Sequence, residues 1–142
     1  MSGYSRVEKL EITYKMEDLK SLKKVKGFDI SEYQNKSSKI ENVEMLDAES
    51  KDFGDGVKQV RQLKITSANL SENGEPVKAI EFVALKLDVE SNEWGIPENP
   101  DSKAMKVLNY FEVEDFSELI GKECLVVKRV KGDKSFLGIH YG

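Results

Sequence analysis

The one imidazole in the chain is His140, in the last few residues of the sequence. Imidazole is the side chain most often used for proton transfer near neutrality. No second histidine exists, and no cysteine or carboxylate is spaced near it to complete a metal-ligand set. We therefore read His140 as a surface or rim residue of a terminal strand. Cys124 is the single cysteine and opens the apolar run Cys124-Leu125-Val126-Val127. A thiol in such a run is an inert small hydrophobe rather than a nucleophile. Carboxylates are densest at Glu112, Glu114, Asp115 and Glu118, but 26 Asp and Glu in one chain make such clusters expected on a solvated surface. The stretch Asp52-Phe53-Gly54-Asp55-Gly56 has the glycines of a phosphate loop. It is acidic and lacks the following Lys-Ser/Thr. These residues predict no catalytic constellation, no metal site and no cofactor. The expectation is a binding protein, not an enzyme.

Composition narrows the class of protein. The chain has 142 residues, 39% hydrophobic and 34% charged, with a formal net charge of −4. That length fits one domain with a core large enough to fold without staples. Distinct apolar runs argue against wholesale disorder. A negative balance disfavours coating duplex DNA through bulk charge, although a local basic groove on an acidic body remains compatible with it. A lone cysteine excludes an intrachain disulfide and fits a reducing compartment. Met1 to Arg6 carry no apolar signal-peptide core, and no run reaches the roughly 18 apolar residues of a membrane span. A cytoplasmic protein without membrane contact is expected, so the sequons at Asn35 and Asn69 predict no glycosylation.

The elements follow from periodicity and breakers. Residues 1–38 are read as an N-terminal extension, with a short strand at Leu10, Ile12 and Tyr14, a charged helix over 16–24, and a turn-like lead-in over 28–33. Strand one is predicted over 39–48, and strand two over 57–68, with Leu63 and Ile65 on one face. Asn73-Gly74 predicts a type I′ turn into strand three, 77–89. In strand three, Val83, Leu85, Leu87 and Val89 share one face, and Ile80, Phe82, Ala84, Lys86 and Asp88 share the other. Residues 91–100 read as a long turn whose Trp94 closes the barrel bottom or covers the helix. Asp101 or Ser102 then caps a helix of about ten residues with a buried stripe of Ala104, Val107, Leu108 and Phe111. Tyr110 beside that stripe is expected half-buried. A capping box at 115–118, a strand over 124–130, a four-residue loop at 131–134 and a last strand over 136–141 complete the chain.

The order strand, strand, strand, helix, strand, strand resembles the oligonucleotide/oligosaccharide-binding (OB) superfamily, which includes single-stranded DNA-binding proteins and the modules of replication protein A. The resemblance covers roughly residues 39–141, within an expected barrel domain of residues 39–142. It is also carried by Glu118-Leu119-Ile120-Gly121-Lys122 leading into Cys124-Leu125-Val126-Val127. It implies a mainly β, five-stranded Greek-key barrel with one helix between strands three and four, and a ligand groove across strands two and three. Another small β-barrel, or an α+β sheet with one packed helix, accommodates the same order. Carried over residue by residue, the implied groove takes Lys51 and Phe53 from the first loop, and Lys58, Arg61 and Lys64 from strand two. Strand three supplies Phe82 and Lys86, and the last hairpin supplies Arg129, Lys131 and Lys134. Rings that stack on bases and cations that follow phosphates are what single strands require. The expected ligand is single-stranded nucleic acid, DNA ahead of RNA. The alternative is a protein-interaction or assembly module, with a protein partner or a second copy as ligand. Lys58 and Lys64 share a strand parity and Arg61 does not, so the three meet in one groove only if the strand is interrupted.

Overall fold

The computed structural model describes residues 19–22 and 29–142. The strand expected at Leu10, Ile12 and Tyr14 lies outside the described residues, as does most of the helix expected over 16–24. The lead-in is a 3-10 turn, Ile30–Tyr33, capped by Asp29, whose Oδ1 accepts from the Ser31 N–H at 2.9 Å. Ile30 and Tyr33 pack against the core.

The described chain is mainly β. Nine strands follow the turn: β1 Ser37–Met45, β2 Glu49–Asp52, β3 Val57–Val60, β4 Gln62–Ser67, β5 Ile80–Ala84, β6 Lys86–Asp88, β7 Glu93–Gly95, β8 Glu123–Lys131 and β9 Lys134–Ile139. The helix α1, Lys103–Tyr110, lies between β7 and β8, and a second 3-10 turn spans Phe116–Leu119. Five strands form one sheet in the order β5-β4-β1-β8-β9, while β2-β3 and β6-β7 are separate hairpins. Every pairing in the five-stranded sheet is antiparallel. Its two edges, β5 and β9, each lie two antiparallel steps from β1 and therefore run parallel to each other. The sheet is open, with no backbone ladder joining those edges among the described residues. The strands carrying Leu125 and Ile139 do belong to the sheet that carries Leu63.

Alternation explains the core. Leu63, Ile65, Val83, Val126, Leu137 and Ile139 are buried on the inner face of the sheet, and α1 buries Ala104, Val107 and Leu108, with Phe111 at its end, against them. These four helix positions are the predicted stripe. Ser102 caps α1, its Oγ accepting from the Met105 N–H at 3.2 Å. Asp115 caps the second 3-10 turn, and the hydroxyl and N–H of Ser117 hold its carboxyl below the usual carboxylate range. The nearby Glu118 accepts from the Glu114 N–H at 3.0 Å, so two carboxylates of this acidic cluster, Asp115 and Glu118, serve local capping. No described helix is long and apolar enough to cross a membrane.

The structure corrects several expected boundaries. The loop expected over 50–56 begins with a strand, β2, which pairs with β3 at the start of the expected strand two, and that strand breaks at Arg61. The expected strand three breaks at Leu85, whose N–H donates to the Arg61 carbonyl at 2.9 Å, so the two breaks face each other. Beyond its break the strand leaves the sheet, which is why Val89 is exposed rather than inward. Asn73-Gly74 does not form a type I′ turn. That turn needs positive φ at both residues, and only Gly74, at 83°, has it. The connection is instead organised by Asn69, whose Oδ1 accepts from the N–H groups of Ser71 and Val77 at 3.0 and 2.9 Å. The last hairpin is tighter than expected. Lys131 pairs with Lys134, leaving a two-residue turn with Gly132 at φ 65° in its first position, as in a type II′ turn.

Candidate functional site

The two hairpins that leave the main sheet enclose a groove of about 500 Å³. Its cationic walls are Lys51 from β2, Lys58 from β3, Arg61 at the strand break and Lys86 from β6. Among the described residues no carboxylate lines it, although acidic residues outnumber basic ones in the chain. Its aromatic groups are Phe53, at the tip of the β2-β3 hairpin, and Trp94 from β7. Phe53 is 55% exposed, so its ring has a face available for stacking. The Lys58 ammonium lies 5.9 Å from the centroid of that ring, within cation–π range.

The interruption at Arg61 solves the parity problem. Arg61 donates from Nε to the Leu46 carbonyl at 2.7 Å, which ties the strand break to the end of β1. With β3 turned away from β4, Lys58 and Arg61 reach the same groove. Lys64 and Phe82 are not in its lining. They stand directly opposite each other on β4 and β5, one same-face step beyond Gln62 and Ala84, which do line it. Lys64 lies 4.0 Å from the Glu44 carboxylate, and Phe82 is exposed. The groove floor therefore runs onto an outer sheet face that carries both residues.

Three expected members lie elsewhere. Arg129 turns toward the sheet edge, where its Nε donates to Glu81 at 2.8 Å and an Nη to the Ile139 carbonyl at 2.9 Å. Its place in the groove is corrected by that buried carboxylate. Lys131 and Lys134 face each other at the tip of β8-β9. In β1, Ser37 pairs with β8 while Met45, at the other end, pairs with β4 beside the groove, so that tip projects from the opposite end of the sheet. Trp94, expected to close the barrel or cover the helix, instead pairs with Leu87 in β6-β7 and lines the groove. The short run Glu93-Trp94-Gly95 between breakers has no alternation to reveal this strand. His140 and Tyr110 form an edge-to-face pair, 5.2 Å between centroids, away from the groove, and Tyr110 is 44% exposed, close to the expected half-burial.

No protein-family model matches the chain, no curated protein matches it significantly, and no solved structure does so either. What the molecule does must be read from the groove itself.

Proposed function

We propose that this chain is a non-catalytic OB-type module that binds single-stranded nucleic acid, DNA in preference to RNA, in the groove between β2-β3 and β6-β7. One observation carries the reading: four cations and two aromatic rings converge on a groove that no described carboxylate lines, in a protein of net charge −4. Phosphates favour such a lining, and bases stack on Phe53 and Trp94. The sheet order supports the barrel part of the proposal. In an OB barrel, the edges corresponding to β5 and β9 close on each other, and here Glu81 on β5 accepts from the Ile139 N–H on β9. A cytoplasmic location belongs to the same proposal, supported by one buried, free thiol.

A second reading, a protein-interaction or assembly module, is favoured by the apolar rim. Val57 and Val89 are 68% and 84% exposed beside the groove. Titration of labelled oligothymidylate by fluorescence anisotropy separates the two. The nucleic-acid reading expects saturable binding at low salt. With four groove cations, log K should fall against log salt with a slope of roughly −3. Absence of binding at tens of micromolar protein, together with a stable oligomer by light scattering, selects the assembly module.

A further inference from the structure

A second depression, of about 650 Å³, lies between α1 and the end of β9 and shares no described lining residue with the groove. Lys106, Asn109 and Tyr110 line it from α1, Arg129 from β8, and His140, Tyr141 and Gly142 from the segment after β9. Helical spacing puts Lys103, Lys106 and Tyr110 on one stripe, at i, i+3 and i+7. Among the described residues no Asp or Glu side chain lines this depression. The one behind it, Glu81, is 4% exposed and already accepts from Arg129, Lys103 and the Ile139 N–H.

The cations are therefore only partly neutralised. Lys103 and Arg129 share the single Glu81 carboxylate. Lys106 has no ion-pair partner among the described residues, and Nη1 of Arg129 makes no hydrogen bond among them. The aromatic walls are built as well. Tyr110 stands edge-to-face with His140, and Arg129 and Lys103 lie 5.1 and 5.4 Å from the Tyr141 ring centroid. Unspent donors next to rings are what a phosphate on a planar base requires.

We propose that this depression binds a phosphomonoester carried on a planar base, the chemistry of a nucleoside monophosphate. The phosphate meets Lys106 and the free edge of the Arg129 guanidinium, and the base lies against Tyr110. The proposal does not depend on the single-strand reading of the groove.

The test is an amide-resolved NMR titration of the full chain with AMP, adenosine and inorganic phosphate, and with oligothymidylate with and without a 5′-phosphate. AMP should shift the amides of Lys106, Tyr110, His140 and Tyr141 saturably and leave those of Lys51 and Phe53 in place. Lys106→Gln, at an exposed position, should weaken AMP about tenfold, the effect of losing one charge-assisted hydrogen bond. A matching response to oligothymidylate only when it is 5′-phosphorylated assigns the phosphate to a strand end, and a response to AMP alone assigns it to a free nucleotide. Both retain the site. No saturable shift with either, an equal response to adenosine, or undiminished affinity in Lys106→Gln overturns it.

Discussion

Lys51 on β2 stands directly opposite Lys58 on β3. Like charges facing each other across two strands destabilise the pair. This hairpin is only four residues per strand and is almost wholly exposed, so it has little burial to offset the repulsion. Such a juxtaposition is unfavourable for folding and favourable for a polyanion, whose phosphates would relieve it.

Lys51→Glu should therefore move stability and binding in opposite directions. The substituted carboxylate faces Lys58 as an opposite charge and favours the hairpin by roughly 0.2–1 kcal/mol. Oligothymidylate affinity should fall about tenfold or more, and the salt slope should shallow by at least about 0.7 as one cation is lost. Denaturant melts and anisotropy on the same preparation check this. Binding that survives the charge reversal would remove Lys51 from the interface.

Phe53→Ala and Trp94→Ala separate stacking from scaffold. Loss of a stacking ring costs about 1–3 kcal/mol of binding, and the Phe53 substitution, at an exposed tip, should leave the melting temperature unchanged. Trp94 pairs with Leu87 within β6-β7, so its removal should weaken binding and loosen that hairpin together. Hydrogen exchange at the amides of β6 and β7 distinguishes the two substitutions.

Glu81 holds the sheet edges, joining β5 to β8 and β9 through Arg129 and the Ile139 N–H. Glu81→Ala leaves two cations and one main-chain donor without their acceptor. It should destabilise by about 3 kcal/mol, less than a wholly buried pair loses because Lys103 and Arg129 keep some solvent. Glu81→Gln retains an acceptor for Ile139 and should cost about half as much. Equal effects of the two, measured by urea denaturation, would show that the charge carries the whole contribution and the acceptor kept for Ile139 none.

Gly138 is tested by its missing side chain. A Cβ there would lie 2.6 Å from Arg129 Nε and 2.7 Å from Glu81 Oε1. Gly138→Ala should push the ion pair apart and cost about 1–3 kcal/mol. Gly95→Ala, where no described atom lies within 4 Å, is the control and should be nearly silent in the same thermal melt.

The helix and its stripe were legible in the sequence because Ser102 and the spacing of Ala104, Val107, Leu108 and Phe111 are local signals. So were the sheet strands with clear alternation, such as that around Leu63 and Ile65. The breaks at Arg61 and Leu85 were not, because they arise from a contact between two strands distant in sequence. Glu81 shares the inward parity of Val83, yet a carboxylate on a core face signals burial only when its partners are known, and Arg129 is 48 residues away. The groove was legible in part. Lys51, Phe53, Lys58, Arg61 and Lys86 converge, while Trp94 entered through a hairpin that its breakers concealed.

Cys124 makes the last prediction, one of pH. Burial at the start of β8 pushes its thiol up from 9.0 to about 11, because the apolar surroundings penalise the thiolate. In the unfolded chain the thiol ionises near its ordinary value. The folded state therefore holds its proton longer, so the contribution is fully present below about pH 9 and is lost as pH rises toward about 11. Urea midpoints should fall across that window in the natural chain. Cys124→Ala should flatten the fall at the cost of a small cavity. Alkylation by iodoacetamide supplies the kinetic counterpart, since only the thiolate attacks. At pH 8 the native protein should react far more slowly than the urea-unfolded chain. Equal rates would mean that the thiol reaches solvent in the folded state and that its strand is not packed as described.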